Sequence, residues 1–105
     1  MSDKVNDKDQ ALWRLAAAGL AFSDKIPRLD LHGLTVAEAS PLLESFLNSQ
    51  FMAGAEAVKI VCGIGTGRLV SAVREVLLAY QKHGLVEDFI SAQGGGAYVV
   101  KLEAR

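Results

Sequence analysis

The stretch 29-LDLHGLTVAEAS-40 places Asp30, His32 and Gly33 within four residues of one another. Asp30 and His32 stand two apart, so on an extended segment both point to the same side. A carboxylate so placed can orient an imidazole, and an imidazole so held can take a proton from water or from a ribose 2′-hydroxyl. The same pair also fits a structural role, the acid capping or hydrogen-bonding the following turn and the histidine a satisfied buried residue. Residue types alone favour that second role. Further on, 62-CGIGTGR-68 alternates Gly63, Gly65 and Gly67 with Ile64 and Thr66 and ends in Arg68. Glycines at a strand-to-helix turn let the backbone bend sharply and aim amide donors at an anion, for which phosphate is the natural guest. The missing Gly-Lys-Ser/Thr ending sets this turn apart from a nucleotide-binding P-loop, and Arg68 at the third glycine's place sets it apart from a dinucleotide fingerprint. A guanidinium beside such amides suits a phosphodiester.

Other reactive residues offer less. One acid and one histidine supply two metal ligands, so no metal site is assigned, and a divalent ion such as magnesium stays open as a participant. Cys62 reads as a small apolar side chain at the end of a buried strand, with no base paired to it. His83, before Gly84, suits a helix C-terminus.

These residues need a frame, and 105 residues suffice for one domain with one core. Half of the residues are hydrophobic and the net charge is -1, so no global basic field exists. Nucleic-acid contact would have to come from a local cluster drawn from Lys25, Arg28, Lys59, Arg68 and Arg74. A single cysteine, no apolar run of the roughly 18 residues a membrane span needs and a polar N-terminus point to a cytoplasmic protein with no membrane contact.

Residues 1–27 read as an N-terminal helical arm and linker. Asp7 or Asp9 would cap a helix whose broad face carries Leu12, Trp13, Ala16, Ala17 and Leu20, and Pro27 closes the linker. This arm is a candidate surface for a second copy or another protein partner. From residue 28 to 105 strands and helices alternate. RLDL is a short strand, and Thr35 with Glu38 forms a capping box for a helix running through Pro41, with Val36, Ala39, Leu43, Phe46, Leu47 and Phe51 inward. AVKIVC suits a strand buried on both faces, and RLVSAVREVLLAYQK a second amphipathic helix. LVEDFISA and GAYVVKLEA are two more strands, joined by a loop carrying Gly94, Gly95 and Gly96. The fold class is therefore α/β, a four-stranded mixed sheet in the order β-α-β-α-β-β with helices packed on it. The first three strands would run parallel and the last would return as a hairpin. In such a sheet ligands bind beyond the carboxyl ends of the strands, where DLHG and CGIGTGR both fall.

Three blocks in order, LDLHGLTVAEA, KIVCGIGTGRLVSAVREVL and a glycine run before AYVVKL, resemble the small MutS-related (Smr) domain family over roughly residues 28–103. The resemblance implies a fold like the C-terminal domain of translation initiation factor three. It also implies a nucleic-acid endonuclease acting on RNA or on nicked or branched DNA, in repair or quality control. By position, the family's acid-x-histidine element falls on Asp30 and His32, with Gly33 following. Its glycine element falls on Gly63, Gly65, Thr66 and Gly67, with Arg68 after it; Lys59 on the preceding strand would add a phosphate contact. Cys62 departs from the histidine or threonine that many relatives carry before the first glycine. A binding module that grips nucleic acid without cutting it is the rival reading.

Overall fold

A computed structural model of the chain describes residues 7–21, 23 and 25–105. The order of elements is α1 (Asp7–Leu20), β1 (Arg28–Asp30), α2 (Val36–Met52), β2 (Ala57–Val61), α3 (Arg68–Lys82), β3 (Val86–Ala92) and β4 (Ala97–Leu102), with a short 3-10 turn at Gln93–Gly95. The strands form one mixed sheet in the spatial order β1-β2-β4-β3. β1 runs parallel to β2, and β4 runs antiparallel to both β2 and β3. The first three strands thus share a direction, as expected, but β3 does not pair with β2. β4 lies between them. The reason is burial: β4 is apolar at nearly every position and covered on both faces, whereas β3 carries Glu87 and Ser91 and stands at the edge. The interior of a sheet goes to the strand that can fill both sides.

Alternation along the strands divides the core in two. On one face Val58 and Ile60 of β2, Cys62 just after it, and Tyr98, Val100 and Leu102 of β4 pack against Leu43 and Leu47 of α2 and Val73 and Leu77 of α3. The rings of Phe89 and Tyr98 meet edge to face, with centroids 5.7 Å apart, and Asn48 Nδ2 donates to Tyr80 Oη at 2.9 Å to link α2 with α3. On the other face Ala17 and Ala21 sit against Val99, with Trp13, Leu20, Ile26 and Ile90 around them. The inward stripe of α1 is therefore Trp13, Ala17 and Leu20, while Leu12 and Ala16 of the expected broad face are exposed. Arg14 fixes this helix by a two-pronged contact with the buried carboxylate of Asp88, Nε to Oδ2 at 2.9 Å and Nη2 to Oδ1 at 2.6 Å. The expected caps Asp7 and Asp9 lie where side chains are outside the described residues. No helix is long and apolar enough to cross a membrane among the described residues.

The start of α2 is what the capping box predicts. Thr35 Oγ1 accepts from the Glu38 amide at 3.1 Å and Glu38 Oε1 from the Thr35 amide at 2.9 Å, an arrangement that stabilises a helix end by about 1 kcal/mol. The helix continues through Pro41, and Ser40 Oγ donates to the Val36 carbonyl one turn back at 2.9 Å. Val36, expected to face inward, is partly exposed at the helix start.

Candidate functional site

Parallel pairing of the two shortest strands assembles the site. Asp30 stands opposite Val61, and the Leu31 amide extends the ladder to the Val61 carbonyl at 2.7 Å. The chain then leaves both strands at the same edge, so residues 31–35 and 62–67 must run side by side. Between them lies a cleft of about 690 Å³ lined by residues 32–37 and 62–69. Asp30, His32, Gly33, Gly63, Gly65, Thr66, Gly67 and Arg68 converge at this edge, which two strand ends of the same direction require.

On the first loop, Leu31 to Leu34 form a turn closed by the Leu34 amide on the Leu31 carbonyl at 3.1 Å, with Gly33 at φ +81°. That backbone angle belongs to glycine, and it lifts His32 to the turn's crest. His32 Nδ1 lies 2.6 Å from Asp30 Oδ1, and the same oxygen accepts the His32 backbone amide at 3.1 Å. Two bonds between residues two apart hold the ring in one orientation with Nδ1 on the carboxylate, which leaves Nε2 free. The ring bond first, and the backbone bond second, hold the Asp30 carboxyl below its ordinary value. The His32 side chain is 70% exposed and that of Asp30 37%, so the pair is reachable from solvent. Of the structural alternative, the bond from Asp30 to the following turn is present, whereas His32 is exposed and not buried.

On the second loop φ changes sign at each residue, positive at Gly63 (+76°), Gly65 (+44°) and Gly67 (+84°) and negative at Ile64 and Thr66 between them. Such alternation is the pattern of a backbone nest, an arrangement suited to an anion. Among the described residues the amides of Ile64, Gly65 and Thr66 donate to no acceptor, and Gly67 caps α3 without a side-chain bond. The N-terminus of α3 borders the cleft, with its first amide, that of Arg68, donating to Thr66 Oγ1 at 3.4 Å. Its first residue, Arg68, lines the cleft with a guanidinium that meets no acceptor in the described chain.

The structure corrects three details of the expected cradle, the first being the Gly67 amide, which closes a turn on the Ile64 carbonyl at 3.1 Å and is not open to an anion. The Gly63 amide is already spent, since it and the Cys62 amide both donate to the Gly96 carbonyl, at 2.9 and 2.8 Å. Gly63 instead serves packing: a Cβ there would lie 3.3 Å from the Cβ of His32. Lys59 lies outside the site. It is 6% exposed on the far face of the sheet, where Nζ donates to the Ala21 carbonyl at 2.6 Å and caps the end of α1. Strand alternation puts it there, since Val58 and Ile60 on either side face the main core. Arg74 lines a separate hollow with Arg14 and Asp88, so Arg68 is the cation of the five that lines the cleft. Gly96 was missed as a functional position; its signal was the glycine run before β4.

Cys62 is 4% exposed, and burial pushes its thiol up to about 11. It stays protonated at neutral pH and offers neither a base nor a nucleophile. The native chain should react with a disulfide reagent far more slowly than the chain in denaturant; labelling equally fast in both would contradict the buried placement. No group of three His, Cys, Asp or Glu side chains stands together as a metal set among the described residues.

A model of the Smr domain family matches residues 29–103. The chain belongs to the Smr domain family. It is 41% identical over 81 residues to the endonuclease MutS2 of Aquifex aeolicus, covering 76% of this chain and 11% of that protein. To the endonuclease MutS2 of Symbiobacterium thermophilum it is 36% identical over 99 residues, covering 88% of this chain and 12% of that one. This Smr domain therefore spans about a tenth of the length of these relatives. Its fold matches the crystal structure of the Smr domain of Thermus thermophilus MutS2 with a TM-score of 0.66 at 34% identity, over 74% of this chain and 99% of that one. The solution structure of the SMR domain of NEDD4-binding protein 2 matches at 0.53 and 24% identity, over 79% and 92%, a likeness of fold.

Proposed function

We propose that this Smr domain cleaves phosphodiester bonds in RNA or in structured DNA, the endonuclease role carried by the names of its longer relatives. The observation that supports the reading is the meeting in one cleft of an exposed, carboxylate-oriented imidazole with a nest of unpaired amides and Arg68. In this mechanism the phosphodiester lies in the nest, its anionic oxygens accepting from the Ile64, Gly65 and Thr66 amides and from Arg68. His32 Nε2 takes the proton of the attacking oxygen, water or a ribose 2′-hydroxyl, and Asp30 stabilises the imidazolium so formed. The new P–O bond forms as the bond to the leaving oxygen breaks, and that oxygen takes its proton from solvent. Charge gathering on the phosphoryl oxygens falls on donors that are already in place, which is where electrostatic catalysis is strongest.

Cys62 supplies no chemistry here, and that observation favours the second reading, in which the cradle grips nucleic acid without cutting. The two separate cleanly. Labelled single-stranded RNA, duplex DNA and branched DNA are each incubated with the chain, with magnesium and with chelator, and both binding and product ends are measured. Cleavage of any of them supports the first reading, and a cyclic phosphate end would identify the 2′-hydroxyl as nucleophile. Binding without cleavage in every arm would leave only the second.

A further inference from the structure

The phosphate-handling groups account for only part of the cleft. Ile64 sits in the middle of the nest, between two glycines, yet its side chain is 66% exposed. Val36, at the start of α2, lines the same cleft and is also partly exposed. A lone exposed isoleucine has no special meaning on a protein surface. This one differs in place, because its own amide is one of the donors left open toward the anion.

Gly96 of the β3–β4 loop keeps it bare. Gly96 has φ -91°, an angle any residue adopts, so its backbone does not call for glycine. A Cβ there would lie 3.4 Å from Ile64 Cγ1 and 3.5 Å from the Gly63 carbonyl carbon, an ordinary contact that would cover part of the isoleucine. At Gly94 and Gly95 a Cβ would meet nothing within 4 Å. Gly96 thus leaves a branched apolar group uncovered in the cleft.

A nucleotide is built in the same way, an apolar flat base joined to an anionic phosphate. In a duplex the faces of the bases are stacked away and only the backbone is presented, so Ile64 would meet no apolar partner. An unpaired base can turn a face outward.

Building on the reading of the cleft as a phosphodiester site, we propose that Ile64 is a specificity residue that takes the base next to the gripped phosphate and makes the cleft select unpaired over paired strand. Val36, on the same cleft, and the bare Gly96 beside Ile64 complete the base's surroundings.

The test compares the parent chain with Ile64→Ala, using a single-stranded oligonucleotide carrying 2-aminopurine and the same sequence as a duplex. Ile64 is exposed, so the thermal midpoint should not move. The inference expects the variant to bind the single strand about fivefold to tenfold more weakly, with the 2-aminopurine response lost and duplex affinity within about twofold of the parent. An equal loss on both substrates, or no loss on either, overturns the role of Ile64 and leaves the phosphodiester reading standing. Failure of the parent to bind either nucleic acid overturns the phosphodiester reading itself, and this inference with it.

Discussion

Replacing His32 with alanine should slow strand cleavage about 10²- to 10⁴-fold while leaving nucleic-acid affinity within about threefold. The ring is exposed and packs into no core, so the thermal midpoint should stay close to that of the parent. Grip and cut are thereby separated in one variant. Asp30→Asn should act in the same direction, because asparagine lacks the charge that steadies the imidazolium and does not enforce one tautomer. The pH behaviour has a definite sign. The Asp30 carboxyl is held below its ordinary value, so the ionised form that binds the ring is fully present above about pH 4 and is lost only as pH falls through the lowered value. Asp30 protonation therefore contributes no limb to a rate profile between pH 5 and 8, measured with the parent under single-turnover conditions. Because Asp30 is more than a third exposed, the same protonation should move stability little. Full activity in His32→Ala would remove the imidazole from the mechanism.

Gly63→Ala should damage both stability and rate. Its φ of +76° is left-handed, which costs an alanine about 1–2 kcal/mol. For a domain of this size that is a fall in thermal midpoint of about 4–8 °C per kcal/mol. In addition the new methyl would stand 3.3 Å from His32 Cβ, and the turn carrying the imidazole must give by a few tenths of an ångström. Reaction geometry is sensitive to such shifts, and at least a tenfold loss of rate should follow. Gly84→Ala is the matched control. It has nearly the same backbone angle, φ +83°, beyond the end of α3, with nothing within 4 Å of a new Cβ. Both variants should lose similar stability, but only Gly63→Ala should lose rate below the melting range. Equal rates in the two would show that the contact between the loops does not position His32.

Much of this could be read in the residues because the signals were local. Thr35 and Glu38 announce a helix start by reciprocal bonds that need no tertiary partner, and the structure contains both. Asp30 ends β1 and His32 follows two residues on in the turn, where a short side-chain bond joins them, and their convergence with the glycine turn follows from the direction of β1 and β2. Non-local choices were harder. Which strand fills the middle of the sheet is a competition among all four, although the contrast between the unbroken apolar run of β4 and the polar positions of β3 carried the answer. Lys59 was misplaced because a lysine in an apolar strand resembles a phosphate contact until the end of α1, 38 residues away in sequence, provides a carbonyl for it. The Gly63 amide was assigned to the anion for the same reason: its true acceptor, Gly96, lies on a distant loop.

The bond between His32 and Asp30 spans two residues, whereas the nest is built wholly from backbone on another loop. In the proposed mechanism the proton-moving groups and the phosphate-holding groups thus have separate addresses, touching where Gly63 meets His32. A lineage could exchange the histidine and keep a working anion trap in an unchanged scaffold, or retune the trap beneath an intact dyad. One substitution would then turn a cutter into a reader, without passing through an unfolded ancestor.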